Sequence, residues 1–511
     1  MRKIIYLLFI LTLSIHAQDS TRSQAFKDNR PPKYPRISAK YPSYSLIAGY
    51  LLMKEANKGD PFAEHELGIR YLIGSGFPAD TVKAIYWIRK AVDQNLPAAK
   101  FNYGILLYNG IGVPWNPFEA YQNFRSAANA GLPEGQFAVA LSYTDNLALN
   151  RDLNKAYHNF KLSAATGYKP AVEALKQILK NGFIPPTDSL SQNESNDLPK
   201  RVDDTSPIIN PNWDIDFYDF ENKDNTSKNA KQITELLNKK PEELKRYLGL
   251  DEITPDQMPV DTSGISLLKF AAQSGSPEAL LILARSYEDG VLTDKNTILA
   301  AVDYLQAYRL GSYKAAQYLL NLLQSKDFAG HLKQKVTEGN PDALYAWAAI
   351  SALGFSSEIT NQQALDFLKK AVDKKHISSM IEMGLLYSSG KLVKKDPAKA
   401  YEYWNMAKQL GSKEAEVRIA LSHIVDSTAV NISEDVKVIK QIANSGSIFA
   451  ETALGYCFEK GVGVKESKAT AVKYYREAAQ RGNEAAYNSL KRLYDEIRPY
   501  DDEFKVYEAL D

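Results

Sequence analysis

Glycine pairs are the residues in this chain that most resemble a ligand-binding motif. Gly74/Gly76, Gly110/Gly112 and Gly461/Gly463 share the Gly-x-Gly spacing of loops that hold a nucleotide phosphate. They lack the third glycine, the preceding strand and the Gly-Lys-Ser/Thr ending of such loops. Each pair recurs between two predicted helices, where glycine commonly ends a helix. We therefore predict a structural role for the pairs.

Histidine, cysteine and serine form no pattern that predicts catalysis or metal binding. Five histidines are scattered, without a His or Cys partner at metal-ligand spacing: His65, His158, His331, His376 and His423. Cys457 is the only cysteine, which excludes an intramolecular disulfide, and it lies on an apolar helical stripe where we expect it to be buried. There is no Gly-x-Ser-x-Gly motif. We therefore expect no catalytic residue, no metal and no cofactor.

An acidic stretch around residues 213–221 is the remaining candidate for binding chemistry. Asp214, Asp216, Asp219 and Glu221 resemble part of a calcium-binding loop, but its glycine and glutamate positions hold Asp219 and Asn225. The same stretch has five large apolar side chains in polar surroundings: Trp213, Ile215, Phe217, Tyr218 and Phe220. Because exposing them to water would be costly, we expect them to dock either on this chain or on a partner.

The elements that carry these residues repeat along the chain. Positions mostly 36 residues apart hold glycine, with Asn or Lys at two of them: Gly59, Asn95, Gly131, Gly167, Gly275, Gly311, Gly339, Lys375, Gly411, Gly446 and Gly482. A second glycine follows many of these positions after 15 residues, as in Gly446 to Gly461. A fixed period in this range indicates a solenoid of repeated supersecondary units.

Each period contains two amphipathic helices. The residues from Ala450 to Phe458 place one apolar stripe at helical spacing, and those from Ala471 to Ala479 place a second. We name these helix A and helix B. Glycine inside helix A costs about 1 kcal/mol relative to alanine. For Gly68, Gly104, Gly384 and Gly455 we therefore expect a close approach to a small residue of helix B: Ala84, Ala120, Ala400 and Ala469, respectively.

The period is interrupted once. Gly167 and Gly275 are 108 residues apart instead of 36. The 15-residue interval ends a helix A at Gly182, whereas the next helix B begins only near Leu267. We therefore predict a 72-residue insertion between the two helices of the fourth repeat, which contains a further helical stretch from Ser227 to Leu250.

The predicted organisation has five parts. Residues 1–17 have the charged start and apolar run of a secretory signal peptide, with a retained N-terminal anchor as the alternative. Residues 18–42 form a flexible tether, 43–183 the N-terminal repeats, 184–262 an acidic insertion, and 263–511 the C-terminal repeats and cap. No later apolar run is long enough to span a membrane. Without residues 1–17, 60 basic side chains face 61 acidic ones, which predicts no affinity for nucleic acid.

One repeat carries a family resemblance. The pattern Leu67-Gly68-x-x-Tyr71-x-x-Gly74-x-Gly76, followed by Lys83-Ala84-x-x-Trp87, closely resembles the Sel-one-like repeat, a tetratricopeptide-related helix pair. Further copies cover most of residues 46–183 and 263–497. The resemblance implies an all-α, right-handed superhelical solenoid of about ten helix pairs, whose concave groove holds proteins or peptides. Penicillin binding is attributed to cysteine-rich exported members. Because this chain lacks their cysteines, that activity is not carried over.

These observations favour a non-catalytic scaffold that binds a protein or peptide of unspecified identity. The signal pattern predicts export, with the periplasm of a bacterial envelope favoured over the extracellular space. One alternative is an envelope glycan-binding protein or hydrolase that uses groove carboxylates and some of the 31 tyrosines. A second alternative is a secreted, host-directed effector.

Overall fold

The structure, a computed structural model, describes residues 49–185, 226–250 and 253–497. Short gaps within the last range fall at 254–257, 260, 262, 292–293, 326, 355–357 and 427–431. The predicted signal peptide, the tether, the acidic aromatic stretch and the C-terminal cap lie outside the described residues. The described residues belong to two compact units, which we name the N-unit (residues 49–185) and the C-unit (residues 226–494).

The N-unit consists of consecutive helices that pack on one another in chain order. Its eight helices are α1 (Gly49–Asn57), α2 (Pro61–Ile73), α3 (Thr81–Asp93), α4 (Pro97–Asn109), α5 (Pro117–Asn129), α6 (Pro133–Asp145), α7 (Leu153–Ala165) and α8 (Lys169–Lys180). α2, α4 and α6 are A helices, and each is followed by its B helix. This arrangement confirms the predicted helix pairs between Gly59 and Gly167.

The C-unit continues with the same kind of helix pairing. Its helices are α9 (Thr226–Leu237), α10 (Pro241–Tyr247), α11 (Gly264–Ser274), α12 (Pro277–Asp289), α13 (Thr297–Arg309), α14 (Tyr313–Leu323), α15 (Phe328–Thr337), α16 (Pro341–Ala352), α17 (Asn361–Asp373), α18 (Ile377–Ser389), α19 (Pro397–Gln409), α20 (Lys413–Asp426), α21 (Ile432–Asn444), α22 (Ile448–Lys460), α23 (Lys468–Gln480) and α24 (Glu484–Ile497). No strand occurs in the described ranges, so the predicted all-α solenoid class is confirmed.

Side-chain caps and glycine set the helix boundaries. The Asp60 carboxylate accepts a hydrogen bond from the backbone N–H of Ala63, and Pro61 occupies the first turn of α2. At the other end, Gly74 adopts the left-handed conformation at φ +72° and its N–H bonds to the Arg70 carbonyl. The same N-cap chemistry, at Asn-Pro, Ser-Pro and Asp-Pro pairs, starts α5, α12, α16 and α19.

The positions that recur every 36 residues all have a positive φ, including the two that are not glycine. Asn95 has φ +60° and Lys375 has φ +61°. A left-handed conformation costs an L-residue about 1–2 kcal/mol, because its Cβ approaches the following carbonyl oxygen. The repeat therefore depends on a backbone conformation that glycine adopts most easily, which explains the spacing observed in the sequence.

Replacing Lys375 by glycine is expected to raise the free energy of unfolding by about 1 kcal/mol, because it relieves the left-handed strain at an exposed side chain. Urea unfolding measures the effect as a higher midpoint at unchanged slope. Asn95→Gly is the matched control and should gain less, because asparagine tolerates this conformation better. A loss of stability in Lys375→Gly would contradict the expectation.

The glycines inside the A helices allow the B helices to approach closely. A Cβ on Gly68 would lie 2.9 Å from the Ala84 carbonyl oxygen, and one on Gly104 would lie 3.1 Å from that of Ala120, as predicted. Large side chains fill the remaining space, as shown by Trp404 against Gly384 and Tyr475 against Gly455.

The prediction of Ala469 as the contact of Gly455 is wrong. Ala471 is fully buried and, like Ala84, lies sixteen residues after its glycine, whereas Ala469 is partly exposed. The cause is the N-cap: Ser467 begins α23 and places Ala471 at the position that Ala84 has in α3. The Lys468-Ala469 dipeptide resembles Lys83-Ala84 but lies two residues earlier in the helix.

One hydrophobic core runs through the C-unit. It includes buried residues of α9 and α10, among them Ile233, Leu236, Leu244 and Leu248, and extends through the repeats to Cys457. The helical stretch predicted within 227–250 is therefore confirmed, as two helices packed into the same core as the repeats. The placement of this stretch in a 72-residue insertion of one repeat stays a prediction.

Candidate functional site

The predicted docking residues Trp213, Ile215, Phe217, Tyr218 and Phe220 lie outside the described residues, so the choice between docking on this chain and docking on a partner stays a prediction.

The glycine pairs have the predicted structural role. Gly110 ends α4 at φ +66°, and a Cβ on Gly112 would collide with Thr81 and Ile85 of the preceding B helix. The pairs thus form helix-ending turns.

The described part of the chain contains neither a reactive cysteine nor a cluster of side chains placed to bind a metal ion. Cys457 is fully buried, and burial raises the pKa of its thiol to about 12, so it is a packing residue as predicted. Across residues 49–185, 226–250 and the described part of 253–497, no group of three or more His, Cys, Asp or Glu side chains is placed to hold a metal ion. In the same residues, no helix has the length and apolar character needed to cross a membrane.

Polar side chains form a connected row on the A helices of the N-unit. We name this set the polar row: His65, Glu66, Arg70, Asn102, Tyr108 and Asp145. Asn102 of α4 lies 2.8 Å from the His65 ring of α2, and Tyr108 of α4 donates a 3.1 Å hydrogen bond to Asp145 of α6. Glu66 accepts a 2.9 Å bond from Arg70. These contacts connect the A helices of three successive repeats.

The His65 ring is held in its neutral form. Burial lowers the pKa of His65 to about 4, because the imidazolium cation would lose its hydration. The ring atom that faces the Asn102 amide nitrogen is Nε2, which therefore acts as the acceptor when Asn102 donates. The Asn102 carbonyl oxygen consequently points away from His65.

Two acceptor atoms of the polar row are buried without a hydrogen bond. Glu66 is 3% exposed and Asn102 is 2% exposed. Among the described residues, neither Glu66 Oε2 nor Asn102 Oδ1 has a hydrogen-bond partner. A buried acceptor left unpaired costs about 1–3 kcal/mol, so such atoms are usually satisfied by a ligand, a water or another segment. The polar row is therefore the candidate binding site in the N-unit.

In the C-unit, buried arginine side chains connect several helices. Arg309 of α13 donates two hydrogen bonds of 2.9 and 2.8 Å to the Glu414 carboxylate of α20. It also donates to Glu382 of α18 at 3.2 Å and to the Tyr345 hydroxyl of α16 at 2.6 Å. Arg418 completes the cluster with two bonds to Glu414. Four helices are thus joined through one buried arginine.

A second arginine connects repeats that are far apart in the sequence. Arg481 donates two 2.9 Å bonds to Glu278, and further bonds to Glu451 and to the Gly446 carbonyl. Next to it, the Asn483 amide donates to the Leu310 carbonyl at 3.1 Å. The helix pair α12/α13 therefore contacts the helix pair α22/α23 directly.

Asp303 and Asp342 are the carboxylate pair that best fits the hydrolase alternative. Burial, with a smaller effect of the Asp342 charge, raises the pKa of Asp303 to about 8, and its Oδ2 atom is buried without a hydrogen bond among the described residues. Asp342 lies 3.3 Å from Nε2 of His376. A raised carboxyl pKa occurs in general acids, but it also occurs wherever a carboxyl group is buried.

Asp303→Asn is expected to flatten the pH dependence of stability. Because the folded pKa of about 8 exceeds the unfolded value of 3.8, the folded state holds a proton that the unfolded chain releases. Stability therefore falls between about pH 4 and pH 8, by at most about 1.4 kcal/mol per pH unit. Thermal unfolding across that range should show a smaller decline in the variant, whereas the exposed Asp366→Asn should follow the parent. Identical profiles for Asp303→Asn and the parent would contradict this.

The Sel1 repeat family matches six segments of this chain: 61–96, 97–132, 133–168, 277–313, 377–412 and 448–483. Each segment begins at the first residue of an A helix, namely α2, α4, α6, α12, α18 or α22. The chain therefore contains six Sel1 repeats. The matched Sel1 repeats include all three A helices of the polar row and contain both Arg309 and Arg481.

Several known proteins are similar to parts of this Sel1-repeat chain. A chitin synthase regulator of Malassezia restricta is 25% identical over 166 residues, which are 31% of this chain and 12% of that protein. The DAP3-binding cell death enhancer 1 of Mus musculus is 31% identical over 111 residues, which are 21% of each protein. The chain thus spans only a small share of these curated relatives.

Two solved structures are similar as well. A protective antigen of uropathogenic Escherichia coli with an SLR fold is 19% identical, with a TM-score of 0.32 over 90% of this chain and 84% of that one. A Sel1 repeat protein from Oxalobacter formigenes is 30% identical, with a TM-score of 0.24 over 25% of this chain and 96% of that one.

The polar row was absent from the predicted site residues, although the sequence carries a signal for it. Glu66, Asn102 and Glu382 each stand two residues before a glycine inside an A helix, on a segment that is otherwise apolar. A polar residue at this fixed repeat position indicates a recurring contact. The partner of that contact is supplied by another helix, and only the structure identifies it.

Proposed function

We propose that this Sel1-repeat chain is a non-catalytic scaffold that binds a protein or peptide along the polar row of the N-unit. The observation that carries the proposal is the pair of buried, unpartnered acceptors, Glu66 Oε2 and Asn102 Oδ1, on adjacent A helices. Backbone N–H groups and cationic side chains are the donors that such acceptors bind. A polypeptide provides both kinds of donor along its length.

The relatives support an interaction role. Their names describe a regulator of chitin synthase and a protein that binds DAP3, both of which refer to action on another protein. The predicted signal peptide supports export, and we propose that the scaffold works in a bacterial envelope, with the periplasm favoured.

Crosslinking in intact cells, followed by affinity capture of the tagged chain, tests the proposal against the glycan alternative. The scaffold predicts a reproducible protein adduct that survives glycosidase treatment and is lost on protease treatment. Recovery of glycan alone would overturn it. Asp303→Asn is an informative variant here, because the hydrolase alternative needs that carboxyl group and the scaffold does not.

A further inference from the structure

The loop between α18 and α19 differs in charge from the same loop of other repeats. We name residues 390–396 the basic loop, and its exposed lysines are Lys391, Lys394 and Lys395. The equivalent loops at 74–80, 110–116 and 461–467 contain at most one lysine or arginine each. The basic loop therefore concentrates positive charge that these counterparts lack.

Leu392 lies in the basic loop with an unusual backbone conformation. Its φ is +59°, whereas three other repeats hold glycine at this position, with φ +74°, +69° and +68°: Gly76, Gly112 and Gly463. An L-residue adopts this left-handed conformation at a cost that glycine avoids. Leu392 is also 45% exposed, so much of this apolar residue contacts water. A strained residue with an exposed apolar side chain indicates a function outside the packing of the repeat.

Contacts with the C-unit hold the basic loop in place. The Asp396 N–H donates a 2.9 Å hydrogen bond to the Tyr387 carbonyl, and the Asp396 carboxylate accepts a 3.2 Å bond from the Lys399 N–H at the start of α19. The neighbouring Val393 packs against the hydrophobic core of the C-unit. Leu392 is therefore the apolar side chain of the loop that stays exposed, on a backbone that these contacts fix.

The lysines of the basic loop are placed to bind an anionic partner. Among the described residues, neither Lys394 nor Lys395 forms an ion pair. Lys399 follows in the first turn of α19, with its Nζ 5.3 Å from the Tyr387 ring centroid. Leucine beside lysines suits an anionic membrane surface, since the apolar side chain enters the interface while the ammonium groups attract lipid headgroups. A run of acidic side chains would pair with the lysines but would leave Leu392 in water, so a lipid surface fits better.

We propose that the basic loop binds an anionic lipid surface, with Leu392 inserted at the interface and Lys394 and Lys395 against the charged headgroups. One leucine and a few lysines give a weak, reversible contact. The contact lies in the C-unit and does not use the polar row, so it goes beyond the proposed function. A scaffold with this loop brings its protein partner to a membrane surface.

Vesicle binding by the purified full chain tests the charge of the loop. The probe is a vesicle with equal parts of phosphatidylglycerol and phosphatidylcholine, and a vesicle of phosphatidylcholine alone is the neutral reference. The parent should sediment with the anionic vesicles, and added salt should weaken this binding. Each lysine at such a surface contributes about fivefold to binding, so Lys394→Gln/Lys395→Gln should bind at least about tenfold more weakly. Lys369→Gln/Lys370→Gln makes the same charge change at exposed positions of α17 and should bind like the parent.

A second measurement reports whether position 392 itself enters the lipid. Cys457 is the only cysteine and is fully buried, so a thiol-reactive nitrobenzoxadiazole label attaches selectively to Leu392→Cys. Its emission should increase and shift to the blue when anionic vesicles are added, because the label leaves water. Lys375→Cys is the matched position, since Lys375 is exposed, has φ +61° and lies in the turn before α18. A label at position 375 should not respond.

Three outcomes would overturn the proposal. The first is equal binding to anionic vesicles by the parent and Lys394→Gln/Lys395→Gln, and the second is an unchanged emission from the label at position 392. Leu392→Gly provides the third, because glycine fits φ +59° and should change the melting temperature little. Its vesicle binding should fall several-fold, since the inserted side chain is lost. A lower melting temperature with parent-like binding would show that Leu392 only packs the fold.

Discussion

Replacing Glu414 by alanine is expected to lower the free energy of unfolding of the C-unit by about 3–5 kcal/mol. The Glu414 side chain is 5% exposed and accepts bonds from Arg309 and Arg418, which are 8% and 9% exposed. Its removal deprives the buried Arg418 guanidinium of its carboxylate partner and leaves Arg309 with only the longer ion pair to Glu382 among the described residues. Chemical denaturation followed by circular dichroism measures the loss.

The matched control for this prediction lies two residues further along the same helix. Glu416 forms an exposed ion pair with Lys413, and Glu416→Ala should cost less than about 1 kcal/mol. The two arginines hold the pKa of Glu414 at about 2, below the unfolded value of 4.5. Its contribution is therefore complete above pH 4.5 and disappears as the pH falls towards 2. Equal losses in Glu414→Ala and Glu416→Ala would contradict this account of the cluster.

Arg481→Ala is expected to cost a similar amount, about 3–5 kcal/mol, because Glu278 and Glu451 would remain buried without a positive charge. Glu278 is fully buried, and burial already raises the pKa of Glu451 to about 8. Without Arg481 the folded state gains a proton on these carboxyls more readily. Because the unfolded chain releases this proton, Arg481→Ala should lower the free energy of unfolding by more at pH 8 than at pH 5.

The repeat itself provides a graded control for Arg481. The equivalent residue of the first Sel1 repeat is Gln94, which donates a 2.7 Å hydrogen bond to Glu64 across the same 30-residue separation as Arg481 and Glu451. Arg481→Gln can therefore keep the bond within its repeat while losing the one to Glu278. We expect an intermediate loss, and little change in the exposed Lys437→Ala. A fully stable Arg481→Gln would show that the contact with Glu278 does not stabilise the fold.

The helix pairs could be predicted from the sequence because local backbone chemistry fixes them. At the recurring positions φ is positive, which favours glycine and strains Asn95 and Lys375, and an Asp, Asn or Ser cap marks many of the helix starts. Such signals act within a few residues and are therefore visible in a single sequence. The error at Ala469 arose from matching a dipeptide instead of counting residues from the N-cap.

The ion clusters and the polar row could not be predicted in full. Arg481 and Glu278 are 203 residues apart, and their contact depends on how the intervening repeats pack. Glu66 and Asn102 could be recognised as a recurring polar position, but nothing local shows that their acceptor atoms are buried without a bond. Burial of a polar atom is a property of tertiary packing, which periodicity alone does not determine.

The central claim is that the polar row is the binding site, and site-specific photocrosslinking tests it most directly. Phe62 is 39% exposed on α2, one helical turn before Glu66, so benzoylphenylalanine at this position stays close to the native side chain. Tyr86 of α3 is 54% exposed and serves as the matched position on a B helix. In intact cells, we predict a reproducible protein adduct from position 62 that is absent from position 86. The same adduct from both positions, or from position 86 alone, would contradict the account.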